Sequence, residues 1–189
     1  VASTTGFLED ANVGAQTNTV GGVSKTTFQN TTGWQNQRAT AGGAFGTNGL
    51  GAMNDIYIAA NNVAPVGEVD TVIASLALMN NYKKKLQAQE RYIDEKTLDA
   101  GRMALAFAGA MIEQDSDMPL NGGGANVFSA YFLSFAGIKL VIHSDADYAT
   151  GEFVHGQGNQ ARVAHIYHKC QLTARHLGGQ GVLVNGDVF

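Results

Sequence analysis

The scarcities of this sequence narrow its reading first. Its 189 residues include a single cysteine, Cys170. A lone thiol cannot close an internal disulfide, so no cystine framework exists. Charge is sparse as well: Asp, Glu, Lys and Arg make up 15% of the chain, and 16 acidic against 12 basic residues leave a net charge of −4. That balance offers no general basic footprint for nucleic acid. A chain with so few surface charges often hides much of its surface against partners, the plain alternative being a small neutral monomer. No run of about 18 apolar residues occurs, so no segment reads as a membrane-crossing helix. No segment has the pattern of a secretory signal. The chain begins at Val1 rather than methionine, and the true N-terminus is expected to lie upstream. No exact repeat is found.

Apolar residues are present at an ordinary globular share, 44%, which argues against disorder. The length suffices for one sizeable domain or two lobes sharing a core. Residues 1–43 are rich in Gly, Thr, Asn and Gln and read as extended segments and loops, with a short strand within 19–27. The spacing of Leu50, Met53, Tyr57 and Ala60, with Ile56 beside them, predicts a helix over 45–62, capped at its start by Thr47 or Asn48. Pro65 and Gly67 break the chain. Residues 69–74, with β-branched Val72 and Ile73, read as a buried strand. Ser75 is the expected N-cap of a second helix from 76 to about 90, with Met79, Tyr82 and Leu86 as its buried stripe. Lys83, Lys84 and Lys85 read as a solvated turn of that helix, a nucleic-acid patch being the weaker option.

Alternation of Met103, Leu105 and Phe107 predicts a strand, Gly109 a turn, and 111–115 a returning strand. Residues 121–124, Asn followed by three glycines, are expected to be a flexible tip. Residues 127–133 and 138–143 are expected to be further strands. Two helices with several short strands make an α+β chain rather than a regular βαβ series.

Four groupings carry candidate chemistry. Gly156, Gly158 and Ala161 fit the loose glycine-x-glycine-x-x-alanine dinucleotide fingerprint, with Asp187 as a ribose ligand, provided that 162–175 is helical. Too little chain follows Asp187 to build a doubly wound sheet, and Val163, His165 and Tyr167 alternate with Ala164, Ile166 and His168. The segment therefore reads as a long strand, joined through Gly178 and Gly179 in a hairpin to a closing strand at 182–184. His143, Asp145 and Asp147 would share one face of an extended strand and suit a divalent ion; a polar strand end entering a turn is the preferred reading, because no second cluster supplies the missing ligands at a recognisable spacing. His165, His168, Cys170 and His176 have a metal-like composition, yet neither strand nor helix geometry gathers three of them. Glu113, Asp115 and Asp117 alternate as paired carboxylates for acid–base work would, or as charges on a solvated edge. Ser129, Ser134 and Ser144 lie in no nucleophile elbow. No catalytic set emerges, and no cofactor or metal is expected.

In serial order, Phe7 to Ala11, Thr17 to Val23, Trp34 to Gln37, Gly49 to Met53, Tyr82 to Lys85, the hairpin at Phe107 and Gly109, Asp117 to Pro119, and His143 to Asp147 resemble the major capsid proteins of tailed phages and prophages, which have the HK97-like fold. The resemblance covers most of the chain. It implies an axial domain at 44–137 and a discontinuous peripheral domain of 1–43 with 138–189. It also implies a structural, non-enzymatic subunit that assembles into hexamers and pentamers of an icosahedral shell. That shell would enclose double-stranded DNA without sequence-specific binding, with scaffold and portal proteins as partners and no membrane. The subunit would be assembled in the bacterial host cytoplasm and reside in the virion. Encapsulins share the fold and enclose cargo proteins; no residue here specifically suggests one. Family members carry an N-terminal arm, an extended loop and a long spine helix; no long helix precedes Phe45, so the chain looks N-terminally truncated. The loop 114–126, with Asp115, Asp117, Met118, Pro119, Asn121, Gly122, Gly123 and Gly124, is the expected contact near the capsomer axis.

Overall fold

The structure is a computed structural model, and it describes residues 19–20, 23–24, 34–63, 68–88, 95–97, 103–118, 128–155 and 162–187. In chain order the elements are β1 (Thr19–Val20), β2 (Val23–Ser24), β3 (Gln37–Thr40), α1 (Phe45–Val63), β4 (Thr71–Ala74), α2 (Leu76–Ala88), β5 (Glu95–Thr97), β6 (Met103–Phe107), β7 (Ala110–Gln114) and β8 (Phe128–Leu133). A 3-10 turn, Phe135–Gly137, leads into β9 (Ile138–Ile142), β10 (Ala149–Thr150), β11 (Val154–His155), β12 (Arg162–Val163), β13 (Ile166–Tyr167), β14 (Cys170–Ala174) and β15 (Gly181–Val184). The chain divides into two compact units: Val1–Gly137 with His176–Phe189, and Ile138–Arg175. The larger unit thus takes residues of both the first and the last segments of the chain.

The larger unit is built on a seven-stranded mixed sheet in the order β3-β15-β8-β4-β7-β6-β5. β15 runs parallel to β3 and antiparallel to β8, and β4 runs parallel to β7. All four residues of β15 are buried, so both of its faces are covered. Both helices feed one core. Phe45, Met53, Ile56 and Ala60 of α1 join Leu78, Met79, Tyr82 and Leu86 of α2 and Val72, Leu105, Ile112, Phe132 and Leu183 of the strands. The three- and four-residue steps of α1 are what place its apolar side chains on one stripe. Gly181 lets Ile56 approach the sheet, since a Cβ there would overlap the isoleucine methyl. Phe107 stands edge-on to Tyr57, Tyr82 and Phe132 at centroid distances of 6.1, 6.3 and 6.3 Å, the orientation aromatic quadrupoles favour.

Local signals explain the boundaries. The Ser75 hydroxyl accepts from Leu78 N at 3.1 Å, as an N-cap should. Ala108 (φ 49°) and Gly109 (φ 93°) are both left-handed between the paired residues Phe107 and Ala110, a two-residue turn whose twist suits a hairpin. Three expectations need correction. The start of α1 is not capped by Thr47 or Asn48: both lie inside its first turn, their amides bonded to the Ala44 carbonyl, and Gly42 (φ 60°) and Gly43 (φ 111°) steer the chain into it. Lys85 does not belong to a solvated turn, because its ammonium donates to the Gly46 carbonyl, whereas Lys83 and Lys84 are exposed. No hairpin joins β14 to the closing strand: β14 pairs with β9, and β15 pairs with β3 and β8.

Candidate inter-subunit surface

The smaller unit is a nested series of antiparallel pairs. Ile138–Ile142 pairs with Cys170–Ala174, Ala149–Thr150 with Ile166–Tyr167, and Val154–His155 with Arg162–Val163. Together they form one interrupted β-hairpin. Side chains alternate across a strand, and the register Ile142↔Cys170, Leu140↔Leu172, Ile138↔Ala174 therefore puts six apolar side chains on one face of the β9/β14 ribbon. The other face carries Lys139, Val141, Gln171 and Thr173, with the Thr173 hydroxyl donating to the Lys139 carbonyl at 3.0 Å. Ile138 and Ala174 are half-buried, and the other residues of both faces are exposed among the described residues. Leu140 is 59% exposed, Leu172 52% and Ile142 41%, and Cys170 is exposed. Farther along, Tyr148, Phe153, Val154, Val163, Ile166 and Tyr167 are also exposed. Ala146 is the one buried hydrophobic among the described residues of this unit. A two-stranded ribbon is marginal by itself in water, and a contiguous exposed apolar face marks an interaction site.

The interruption accounts for the metal-like residues. His143 N donates to Lys169 O (3.0 Å), Ala146 N to His143 O (3.1 Å) and Lys169 N to Ala146 O (2.9 Å), which closes 143–146 into a turn opposite His168 and Lys169. Asp145 N donates to His143 Nδ1 at 3.2 Å, and Ser144 Oγ to Asp145 Oδ1. Asp147 instead meets His168 Nδ1 at 3.4 Å, and the His168 ring stacks on Tyr148 at 4.4 Å. His143, Asp145 and Asp147 therefore do not share a strand face; they enter a turn. Among the described residues no three His, Cys, Asp or Glu side chains are grouped to hold an ion. His176 belongs to the larger unit and its buried Nδ1 has no hydrogen-bond partner among the described residues.

The segment expected to meet the capsomer axis leaves the sheet at Gln114. Asp115 N donates to Ala74 O (3.0 Å), its carboxylate accepts from Asp117 N (2.9 Å), and Met118 turns inward, buried. Glu113, Asp115 and Asp117 are exposed, as charges on a solvated edge are. Beside them a groove of about 660 Å³ runs along the start of α2, walled by Leu76, Met79, Lys83, Asp115, Met118 and Asp187. Pro119, Asn121, Gly122, Gly123 and Gly124 lie outside the described residues.

The dinucleotide reading loses its helix. Residues 162–175 hold three strands, not a helix and not the single long strand expected; the turn at 143–146 and the bends near it break the ladder. Gly156, Gly158 and Ala161 lie outside the described residues. The Asp187 carboxylate is engaged by the Ser75 hydroxyl at 2.8 Å. Sequence reasoning missed the uncovered face. Its signal was the matched alternation of 138, 140, 142 with 170, 172, 174, visible once the two segments are paired.

No protein-family model and no curated protein matches the chain. A solved structure does: the chain superposes on a subunit of the holo-SrpI encapsulin complex from Synechococcus elongatus PCC 7942 with a TM-score of 0.57 at 14% sequence identity, over 80% of this chain and 53% of that one. The large mixed sheet with few helices is thus an α+β architecture of the HK97-like fold. This chain spans about half the length of the encapsulin subunit it matches.

Proposed function

We propose that this chain is a structural, non-enzymatic subunit of a closed protein shell, and more narrowly the major capsid protein of a tailed phage or prophage. The observation that carries the shell reading is an HK97-like fold together with a β-hairpin whose apolar face is largely exposed among the described residues. A subunit destined for many neighbours can leave such a face open, because closed symmetry multiplies individually weak contacts. The serial resemblance of motifs from Phe7 to Asp147 supports the narrower, phage reading. On that reading the subunits form hexamers and pentamers around double-stranded DNA, with scaffold and portal proteins as partners. Asp115, Asp117, Met118, Pro119 and Asn121 to Gly124 make the contact near the capsomer axis. The assembled subunit resides in the virion.

The similarity to an encapsulin favours a second reading, a shell that holds protein cargo. Expression of the full-length protein, followed by negative-stain electron microscopy, tests the shell. Closed particles or capsomer rings are expected, and a stable monomer under all conditions, scaffold included, overturns the proposal. The ratio of ultraviolet absorbance at 260 and 280 nm of purified virions or cellular particles then separates nucleic-acid content from protein content.

A further inference from the structure

Asn185 and Gly186 follow β15 directly, and the backbone demands each of them. Asn185 sits at φ 58°, a left-handed conformation that asparagine tolerates better than most side chains do. Gly186 is buried, and a Cβ on it would lie 2.6 Å from Leu78 Cδ1, 3.1 Å from Ser129 Cβ and 3.2 Å from Leu183 Cδ2. The fold thus calls for a chemically fragile pair. Asparagine is among the thermolabile residues. A glycine after it presents a main-chain nitrogen with no side chain to shield it, and in a free chain that nitrogen attacks the asparagine side-chain carbonyl.

The neighbours that exclude a Cβ also hold this nucleophile still. Gly186 N donates to Ser129 Oγ at 2.7 Å, and Asn81 Nδ2 donates to Gly186 O at 3.1 Å, so the peptide units on both sides of Gly186 are fixed. Ser129, Asn81, Leu78 and Leu183 are all buried, which keeps solvent base and water from the nitrogen. We propose that Asn185 is a conformation-gated deamidation site. It is shut while residues 185–187 are seated against β8 and α2, and it opens when they lift away with β15.

The chemistry needs water and a solvent base alone. In the open state the base removes the Gly186 amide proton. The nitrogen attacks Asn185 Cγ, a C–N bond forms, and the side-chain nitrogen leaves as ammonia. Water then opens the succinimide at either carbonyl, which gives aspartate or isoaspartate. Both products oppose closure, because each places a carboxylate at a half-buried position next but one to Asp187. Isoaspartate also lengthens the main chain by a carbon, so Gly186 N and O cannot both regain Ser129 and Asn81. A subunit left open is therefore marked permanently. The site does not depend on the shell reading.

Peptide mapping by mass spectrometry, with chromatographic separation of isoaspartate, follows the reaction at neutral pH and physiological temperature. Asn48-Gly49, in α1, and Asn121-Gly122 are references within the same chain. Asn185 is expected to react at least about a hundredfold more slowly in the folded protein than in guanidinium chloride, because reaction waits on local opening. Ser129→Ala is expected to speed Asn185 in the folded protein about fivefold, the factor one hydrogen bond supplies. Asn48 should stay slow in that variant, which a general loss of stability would not allow. Chains modified while unfolded and then refolded are expected to be depleted at least about tenfold from the folded fraction on size exclusion.

Equal Asn185 rates in folded and unfolded chains overturn the gate, and that comparison needs no variant. A Ser129→Ala protein in which Asn185 reacts no faster, or in which Asn48 accelerates equally, overturns the hold by Ser129. Modified chains that refold as well as unmodified ones overturn the mark.

Discussion

Gln180 and Ser134 clasp each other in the interior of the larger unit. The Ser134 amide donates to Gln180 Oε1 at 2.9 Å, and Gln180 Nε2 donates back to the Ser134 carbonyl at 3.0 Å. The pair continues the β8/β15 ladder one step past its end, with a side-chain amide imitating a peptide. Gln180 is fully buried, so water cannot replace it. The variant Gln180→Leu strands one donor and one acceptor, each costing about 1–3 kcal/mol. Urea unfolding is expected to show a loss of about 2–6 kcal/mol, and a loss below 1 kcal/mol would mean that the pair does not form.

Ser75 ties the start of α2 to residues near the end of the chain. Its hydroxyl caps the helix at Leu78 N and donates to Asp187 Oδ1, while Asn81 Nδ2 donates to Gly186 O at 3.1 Å and Gly186 N to Ser129 Oγ at 2.7 Å. Ser75→Ala is expected to destabilise by about 1–2 kcal/mol, the usual cost of losing such a cap. Ser75→Asp, which keeps the cap but opposes Asp187, should be no better than alanine; full recovery of the melting temperature would show that the Asp187 contact is immaterial.

The turn at Ala108 can be improved. An alanine held at φ 49° is strained, whereas asparagine accepts that region and Asn-Gly is the preferred pair for this turn. Ala108→Asn is expected to raise stability by about 0.5–1 kcal/mol, or roughly 1–4 °C in a calorimetric scan. The Tyr57 hydroxyl, which donates to the Ala108 carbonyl at 2.8 Å, keeps its backbone partner. A lower melting temperature would refute the turn assignment.

Gly181 tests the packing of α1 on β15. Gly181→Ala pushes a methyl into Ile56 and to 3.3 Å from Phe132 Cβ, and overpacking of this kind costs about 1–3 kcal/mol. The companion change Ile56→Val should return part of that loss, and equal instability with and without it would place the strain elsewhere.

Deleting Asn121, Gly122, Gly123 and Gly124 from the full-length protein is expected to abolish capsomer formation while the isolated subunit melts cooperatively as before. Normal particles from that deletion would remove the axial contact from the proposal.

Local pattern made much of this architecture legible. The periodicity of Met53, Ile56 and Ala60 gave α1 almost to the residue, Ser75 marked the start of α2, and Gly109 marked a hairpin, because each signal reports on backbone geometry within a few residues. Alternation from Val163 to His168 correctly opposed a helix there. Pairing partners were not legible. β15 was expected to fold back on β14 across Gly178 and Gly179, yet it inserts between β3 and β8; a four-residue strand buried on both faces carries no mark of its neighbours. The candidate surface was half legible for a similar reason. Alternation at Ile138, Leu140 and Ile142 announces a face that needs cover, but the same pattern serves a strand covered by its own chain.

Gly181 pairs with Gln37 across most of the sequence, and this has a bearing on how the protein is made. On a ribosome, β3 emerges early and has no partner until β15 follows it, so the sheet is finished last and at its interior. Polypeptides on which synthesis halts before Gly181 would expose β3 and one edge of β8, and would be open to proteolysis. The topology itself thus marks a finished chain: without its closing strand, an unfinished one has no complete sheet.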